Sequence, residues 1–233
     1  MNSFASLQYD REPPAAQPFA RKLRHEAPED DPYPQVFEAI LDQRLTAASR
    51  FTEESLAQMF GASRSQIRRT LTQLSHEQVV ILRTHQRPKI AMAAPEHTRQ
   101  ILHARRLTEI MLIELTCQQP QSAGLEALRE LIEKQRRLRA LDQHGAAIRL
   151  SGEFHLQLAK LAGNAPLAHF LGSLVPMTSL ALAQCRQQTN RDTTVQTHIA
   201  IVDAVERNDV NAAVRLMNRH LSDLEQQLLG LAP

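Results

Sequence analysis

Residues 51–83 read FTEESLAQMFGASRSQIRRTLTQLSHEQVVILR, and this stretch restricts the fold more than any other. Thr52 stands where an N-cap would, Leu56, Met59 and Phe60 share a face behind it, and Gly61 ends the run, the pattern of a short capped helix. Ser63 can cap a second helix, in which Ile67, Leu71 and Leu74 fall at i, i+4 and i+7 and form one buried stripe. At about 100° per residue, Ser65, Arg68, Arg69, Thr72 and Gln73 then point the opposite way. The run VVILR is β-branched and too short for a helix, and KIAMA follows after THQRP, so residues 79–83 and 89–93 are expected to pair as a hairpin. With a preceding helix that carries Val36, Phe37, Ile40 and Leu41 and reaches Leu45, the expectation for residues 33–95 is a winged helix-turn-helix.

Charge supports a nucleic-acid role for this segment. Residues 60–95 hold six Lys/Arg (Arg64, Arg68, Arg69, Arg83, Arg87, Lys89) against one acid, Glu77, within a chain whose formal net charge is only +2. A helix buried by Ile67, Leu71 and Leu74 can lay its other face in a major groove, where the planar fork of an arginine reaches guanine or two phosphate oxygens. Arg64 sits at the helix start, where backbone N–H groups also favour a phosphate. The expected DNA contacts are Ser63, Arg64, Ser65, Arg68, Arg69 and Thr72, with Arg87 and Lys89 on the wing.

Beyond AAPEHT the chain reads as helical to its end, with breaks near 119–122, 144–145, 163–166 and 208–209, and six helices fit the length. With 7 glycines and 4% aromatic residues, little sheet is expected, so the fold class is mainly α: a winged helix with a small wing, then an all-α bundle. The stretch EKQRRLRALDQ reads as a solvated helix face. Residues 1–32, rich in Pro and charge without periodicity, are expected to form a flexible arm. Cys117 and Cys185 are isolated, which argues against a disulfide framework or a thiolate zinc site, and the first thirty residues lack an apolar run, so a cytoplasmic protein with no membrane partner is expected.

The stretch from Phe51 to Arg83 resembles the N-terminal winged helix of the GntR family of bacterial transcription regulators, over about residues 33–93. In that family an SR-x-x-(V/I/L)-R pattern contacts DNA, and Ser63, Arg64, Ile67 and Arg68 match it. The chain departs from the family at Ala47–Ser49 in place of a PG turn, at EQVV in place of EGLV, at HQRPK where a wing-tip glycine is usual, and at Glu54 where a basic residue is common.

His198 and His220 lie on two helices joined by a short turn, which antiparallel packing can bring together, and His155 on a third helix can complete a three-imidazole set of the kind that suits Zn²⁺ or Ni²⁺. Residues 98–229 are similar to the C-terminal ligand-binding and dimerisation domain of the FadR subgroup, called FCD. There a D-x-x-x-H motif and two later histidines hold a divalent metal beside a small organic acid. The resemblance implies His155, His198 and His220 as metal ligands, with Ser151 in the aspartate's place and Glu153 on nearly the opposite helix face. It also matches Arg106 and Glu109 to an R-x-x-E pattern, with Arg106 and Ser151 facing the effector, and puts Asn164 at a helix C-cap.

The function expected from these readings is a homodimeric, DNA-binding transcription repressor without enzymatic activity, its operator affinity altered by an organic acid beside a divalent metal. A metal-dependent enzyme built on the three histidines and a purely metal-sensing regulator are the alternatives, and no HExxH motif favours the enzyme.

Overall fold

The computed structural model describes residues 31–185 and 192–230. The arm expected at 1–32 lies outside these except for its last two residues. In chain order the elements are α1 (Tyr33–Leu41), α2 (Glu53–Phe60), α3 (Arg64–His76), β1 (Val80–Ile81), β2 (Lys89–Ile90), α4 (Pro95–Gln118), α5 (Ser122–Ala140), α6 (His144–Leu161), α7 (Ala165–Gln184), α8 (Asp192–Glu206) and α9 (Val210–Leu229). The fold is mainly α, a winged helix-turn-helix followed by six helices among the described residues.

Local chemistry accounts for the turn between α2 and α3. The Thr52 hydroxyl accepts from the Ser55 N–H while Ser55 Oγ accepts from the Thr52 N–H, a reciprocal cap. Gly61 then takes φ +63°, a left-handed conformation that ends α2. Ser63 and Gln66 repeat the reciprocal cap at the start of α3. Leu56 and Ala57 of α2 are buried in the core and Phe60 packs against it; Met59, expected on that face, is 60% exposed.

Two elements are shorter than the sequence implies. α1 stops at Leu41 because Gln43 adopts φ +58°, although Leu45 still folds back into the core. The wing pairs Val80 with Ile90 and Ile81 with Lys89, antiparallel, with one further backbone bond from the Ala91 N–H to the Val79 carbonyl. Leu82, expected in the first strand, lies outside the pairing and is 41% exposed.

The winged-helix core gathers Val36, Phe37, Ile40, Leu56, Ile67, Leu71, Leu74, Val79, Val80 and Ile90, and it includes one residue from far along the chain, Leu180 of α7. Around that joint Arg149 on α6 donates to Glu38 at 2.8 Å, and the Gly145 N–H donates to Asp42 Oδ1. A Cβ on Gly145 would meet Asp42 Oδ1 at 2.5 Å and the Glu38 carbonyl at 2.6 Å, so only glycine lets α6 start against α1. Gln184, the last residue of α7, holds the chain after β2 with two hydrogen bonds: its Nε2 donates to the Ala91 carbonyl and its Oε1 accepts from the Ala93 N–H.

In the helical bundle a second core joins Ile113, Leu128, Ile132, Phe154, Leu158, Ile201, Val202, Val205, Met217 and Leu221. α7 is long and apolar enough to cross a membrane by composition alone. Its Leu171, Val175, Leu180 and Ala181 are instead buried against neighbouring helices.

Candidate functional site

Two places concentrate polar chemistry. On α3, burial of Ile67, Thr70, Leu71 and Leu74 forces the intervening residues outward, and Ser63, Arg64, Ser65, Arg68, Arg69 and Thr72 are all exposed. Ser65, Arg68, Arg69, Thr72, Gln73 and His76 line one open groove along the helix. Arg87 and Lys89 are exposed on the wing. Arg68 is engaged within the protein: its Nε and Nη2 donate to the Glu53 carboxylate at 2.9 and 2.7 Å. That hydrogen bond holds the Glu53 carboxyl below its ordinary pKa. Glu53, half-buried at the start of α2, thus aims the guanidinium, a role that its sequence position did not advertise.

The second place lies inside the bundle. α6, α8 and α9 turn His155, His198 and His220 inward, all buried, with ligand atoms within 4.8 Å of one another. His155 Nδ1–H donates to Glu109 Oε2 at 2.5 Å, which leaves its Nε2 lone pair facing the cluster, where His220 Nε2 lies 3.2 Å away. His198 stacks on Phe154 with ring centroids 3.9 Å apart, and neither of its buried ring nitrogens has a hydrogen-bond partner. On α4, Arg105 Nε donates to Glu109 Oε1 at 2.7 Å and its Nη1 to Thr178 Oγ1 of α7 at 2.6 Å, while its buried Nη2 has no partner.

Electrostatics follow from this enclosure. Burial would raise the Glu109 carboxyl, but the charges of Arg105 and His155 outweigh it and hold the group down to about 2. Burial lowers His155, partly offset by Glu109; burial and then His155 bring His220 down to about 3. Burial depresses His198 most strongly, aided by His220, His155, Arg139 and Arg105. The three imidazoles are therefore neutral near pH 7, the form in which they ligate metals.

These residues fit a divalent ion. Three neutral nitrogen donors converge, two nitrogens of His198 are orphaned, and Glu109 stands behind His155 as an orienting carboxylate. Ser151 lies one turn before His155 on α6, half-buried, and Glu153 interacts instead with Gln157 and Lys160 along its own helix.

Several expected placements change. Arg106 donates to Ser222 and Glu225 of α9 in a half-buried pair. The arginine joined to the histidine cluster through Glu109 is its neighbour Arg105, because one residue along a helix turns a side chain by about 100°. The signal was available in Arg105 and Glu109 at i, i+4. Asn164 caps the start of α7, its Oδ1 accepting from the Leu167 N–H, and Gly163 at φ +70° makes the turn before it. Within EKQRRLRALDQ, Arg136 and Arg137 are exposed as expected, but Gln135 is buried.

The FCD domain family matches residues 100–223, and the gntR family of bacterial regulatory proteins matches residues 33–88. The HTH-type transcriptional repressor NanR of Escherichia coli K12 is 24% identical over 253 aligned positions, covering 96% of this chain and 93% of NanR. NanR of Shigella flexneri matches to the same extent. Among solved structures, E. coli McbR/YncC superposes with a TM-score of 0.67 at 17% identity, over 84% of this chain and 95% of that one. A putative GntR regulator from Rhodococcus sp. RHA1 gives 0.69 at 18% identity, over 86% and 97%. At such identities the two structures speak for the fold.

Proposed function

This chain belongs to the GntR family of bacterial transcription regulators and carries its FCD domain, and from that premise we propose a cytoplasmic, dimeric repressor whose hold on DNA is set by a small organic acid. The relatives it resembles in sequence are named repressors, which supports the sign of regulation. Arg64, Arg68, Arg69 and the wing residues Arg87 and Lys89 meet the operator, with Glu53 aiming Arg68. One winged helix reads few bases, so two half-sites and a dimer are required for specificity. Leu107 and Met111, 63% and 50% exposed at i, i+4 on α4, offer an apolar contact for a second copy.

The observation that carries the effector reading is that the Nη2 of Arg105 and both ring nitrogens of His198 are buried without partners, around a single close carboxylate, Glu109, that bonds both Arg105 and His155. His155, His198 and His220 would hold Zn²⁺ or Ni²⁺, which when bound supplies a cationic, Lewis-acidic centre for a carboxylate. Arg105 adds a second anchor, since its fork suits carboxylate oxygens.

The histidine cluster is joined to the DNA-binding region by two helices. α6 carries His155 and also the Gly145 and Arg149 contacts to α1; α7 carries Thr178, bonded to Arg105, and also Leu180 and Gln184. An acid that binds better when these helices take one arrangement shifts the population of DNA-competent dimers by its differential affinity.

The test is fluorescence anisotropy on the DNA upstream of the protein's own gene, with zinc or nickel, and with a panel of small carboxylic acids. Specific binding that one acid changes at least about tenfold is expected, the range of ordinary coupling energies. A metal that changes binding by itself, with every acid silent, would leave the metal-sensing reading in its place. Calorimetric titration should show a saturable metal site that His198→Ala removes and Ser151→Asp tightens; no site in either wild type or Ser151→Asp would overturn the metal.

A further inference from the structure

The chain leaves the winged helix for the bundle through four residues, Ala91, Met92, Ala93 and Ala94, between the end of β2 at Ile90 and the start of α4 at Pro95. Met92, Ala93 and Ala94 are exposed. None of the four side chains carries an N–H or O–H group with which to fix the stretch. By composition it is a swivel, with two soft dihedrals at each residue. The structure holds it by its backbone instead. The Ala91 N–H donates to the Val79 carbonyl at 2.9 Å. The Ala91 carbonyl accepts from Gln184 Nε2 at 2.8 Å, and the Ala93 N–H donates to Gln184 Oε1 at 2.9 Å. One carboxamide, with both a donor and an acceptor, thus grips the exit from β2 as the peptide groups of a neighbouring strand would.

Gln184 reaches that stretch because the last turn of α7 is built into the winged helix. Leu180, one turn earlier on the same helix face, is 2% exposed within the winged-helix core, and Ala183 packs against that core. A second tie lies at the start of α6. There Arg149 donates to Glu38, the Gly145 N–H donates to Asp42, and Ile148 packs against the same core. The two ties grip different parts of the winged helix, the exit from β2 in one case and α1 with its C-cap in the other. A single contact leaves an axis to turn about, and a second one placed elsewhere removes it. The described residues accordingly form one compact unit.

We propose that Gln184 is a positioning residue for operator recognition: by clamping the exit from the wing it fixes each winged helix on its bundle, and so fixes the half-site spacing that a dimer accepts. The proposal rests on the dimeric DNA-binding reading above. Each base pair inserted between two half-sites moves them apart by about 3.4 Å and turns one against the other by about 35°. A winged helix free to swivel on its linker follows such a change, and one clamped at two places does not. Simultaneous engagement of both half-sites is then lost, together with the affinity that it adds. Without the Gln184 clamp, Leu180 and Arg149 still hold the fold, while the wing with Arg87 and Lys89 gains freedom.

The experiment uses the full-length protein and the DNA upstream of its own gene, in which footprinting locates the half-sites. Fluorescence anisotropy then compares that duplex with duplexes lengthened or shortened by one and two base pairs between the half-sites, and with a single half-site. Wild type should bind the natural spacing at least about tenfold more tightly than the altered ones. In Gln184→Ala that ratio should fall to about threefold or less, while affinity for the single half-site stays at the wild-type value. Gln184→Glu keeps the acceptor for the Ala93 N–H but sets a carboxylate against the Ala91 carbonyl. It should relax the ratio as well, and it decides the matter if the alanine variant fails to fold. An unchanged ratio in Gln184→Ala, an equal loss on every duplex including the single half-site, or a wild type indifferent to spacing would each overturn the role of Gln184 and leave the dimeric reading standing. If footprinting shows a lone half-site and sedimentation a monomer on DNA, that reading falls and this proposal with it.

Discussion

The outward face of α3 and the chamber around His155 are both built from charged and polar side chains, and they differ in whether water reaches them. On α3 the arginines are exposed, one of them paired with Glu53 at the surface. In the chamber Arg105, Glu109 and the three histidines are shut away, each within bonding or stacking distance of another. Exposed ion pairs contribute little to stability and leave their donors available to a partner. Buried ones are costly to break, since removing either member strands the other in a low dielectric. The same residue types therefore serve recognition in one place and hold the structure in the other.

The sharpest break of that comparison is Glu109→Gln. It leaves Arg105 uncompensated and His155 without an anionic acceptor, so the metal-free protein should lose about 3 to 5 kcal/mol, read from urea unfolding. A loss near the level of an exposed pair would mean that the chamber is effectively wet.

Acidity probes the same enclosure more gently. His198 and His220 are held neutral when folded, His220 down to about 3, whereas unfolded histidine titrates near its ordinary 6.5. Below about pH 6.5 the unfolded chain binds protons that the folded chain refuses, so stability present at pH 7.5 is lost as pH falls toward the folded values. Between pH 6 and 5 the metal-free protein should lose up to about 1.4 kcal/mol per pH unit for each such histidine. Glu109, held at about 2, extends the loss in the same direction below 4.5. A urea midpoint that stays level from pH 7.5 to 5 would show the imidazoles protonating freely in the folded state.

On α3 the expected effect on stability is the smallest, and that is the point of contrast. Arg68→Ala should leave the urea midpoint almost unchanged while weakening operator binding roughly tenfold to a hundredfold at matched salt, with sequence discrimination relaxed. Lys89→Ala should weaken binding to all sequences about equally. An Arg68→Ala protein that binds its operator like wild type would remove that residue from the recognition surface.

The two regions also differed in how far they could be read before folding. Thr52, Gly61, Ser63 and the Ile67, Leu71, Leu74 stripe act within one or two helical turns, so caps, turn and exposed face follow from local order alone. The histidines were legible as a candidate set, and the structure brings them together. Their surroundings were not. Arg105 and Arg106 are adjacent and chemically identical; only the packing of α4 between α7 and α9 decides that the first meets Glu109 and Thr178 and the second meets Glu225. Gln135 sat in a run of charges that reads as solvated, and its burial depends on α8 lying across that face of α5.

By itself the sequence determined the element types, the reciprocal caps, the basic face of α3 and the helical breaks at 119–122, 163–166 and 208–209, because each rests on interactions between residues a few positions apart. Tertiary structure alone decided that Leu180 would complete the winged-helix core, that Gln184 would hold the chain after β2, and that Glu109 would orient His155. Those contacts join residues 46 to more than 90 positions apart, and a side chain's partner across such a span is set by which helix faces meet, a property of the packed molecule that no local pattern encodes.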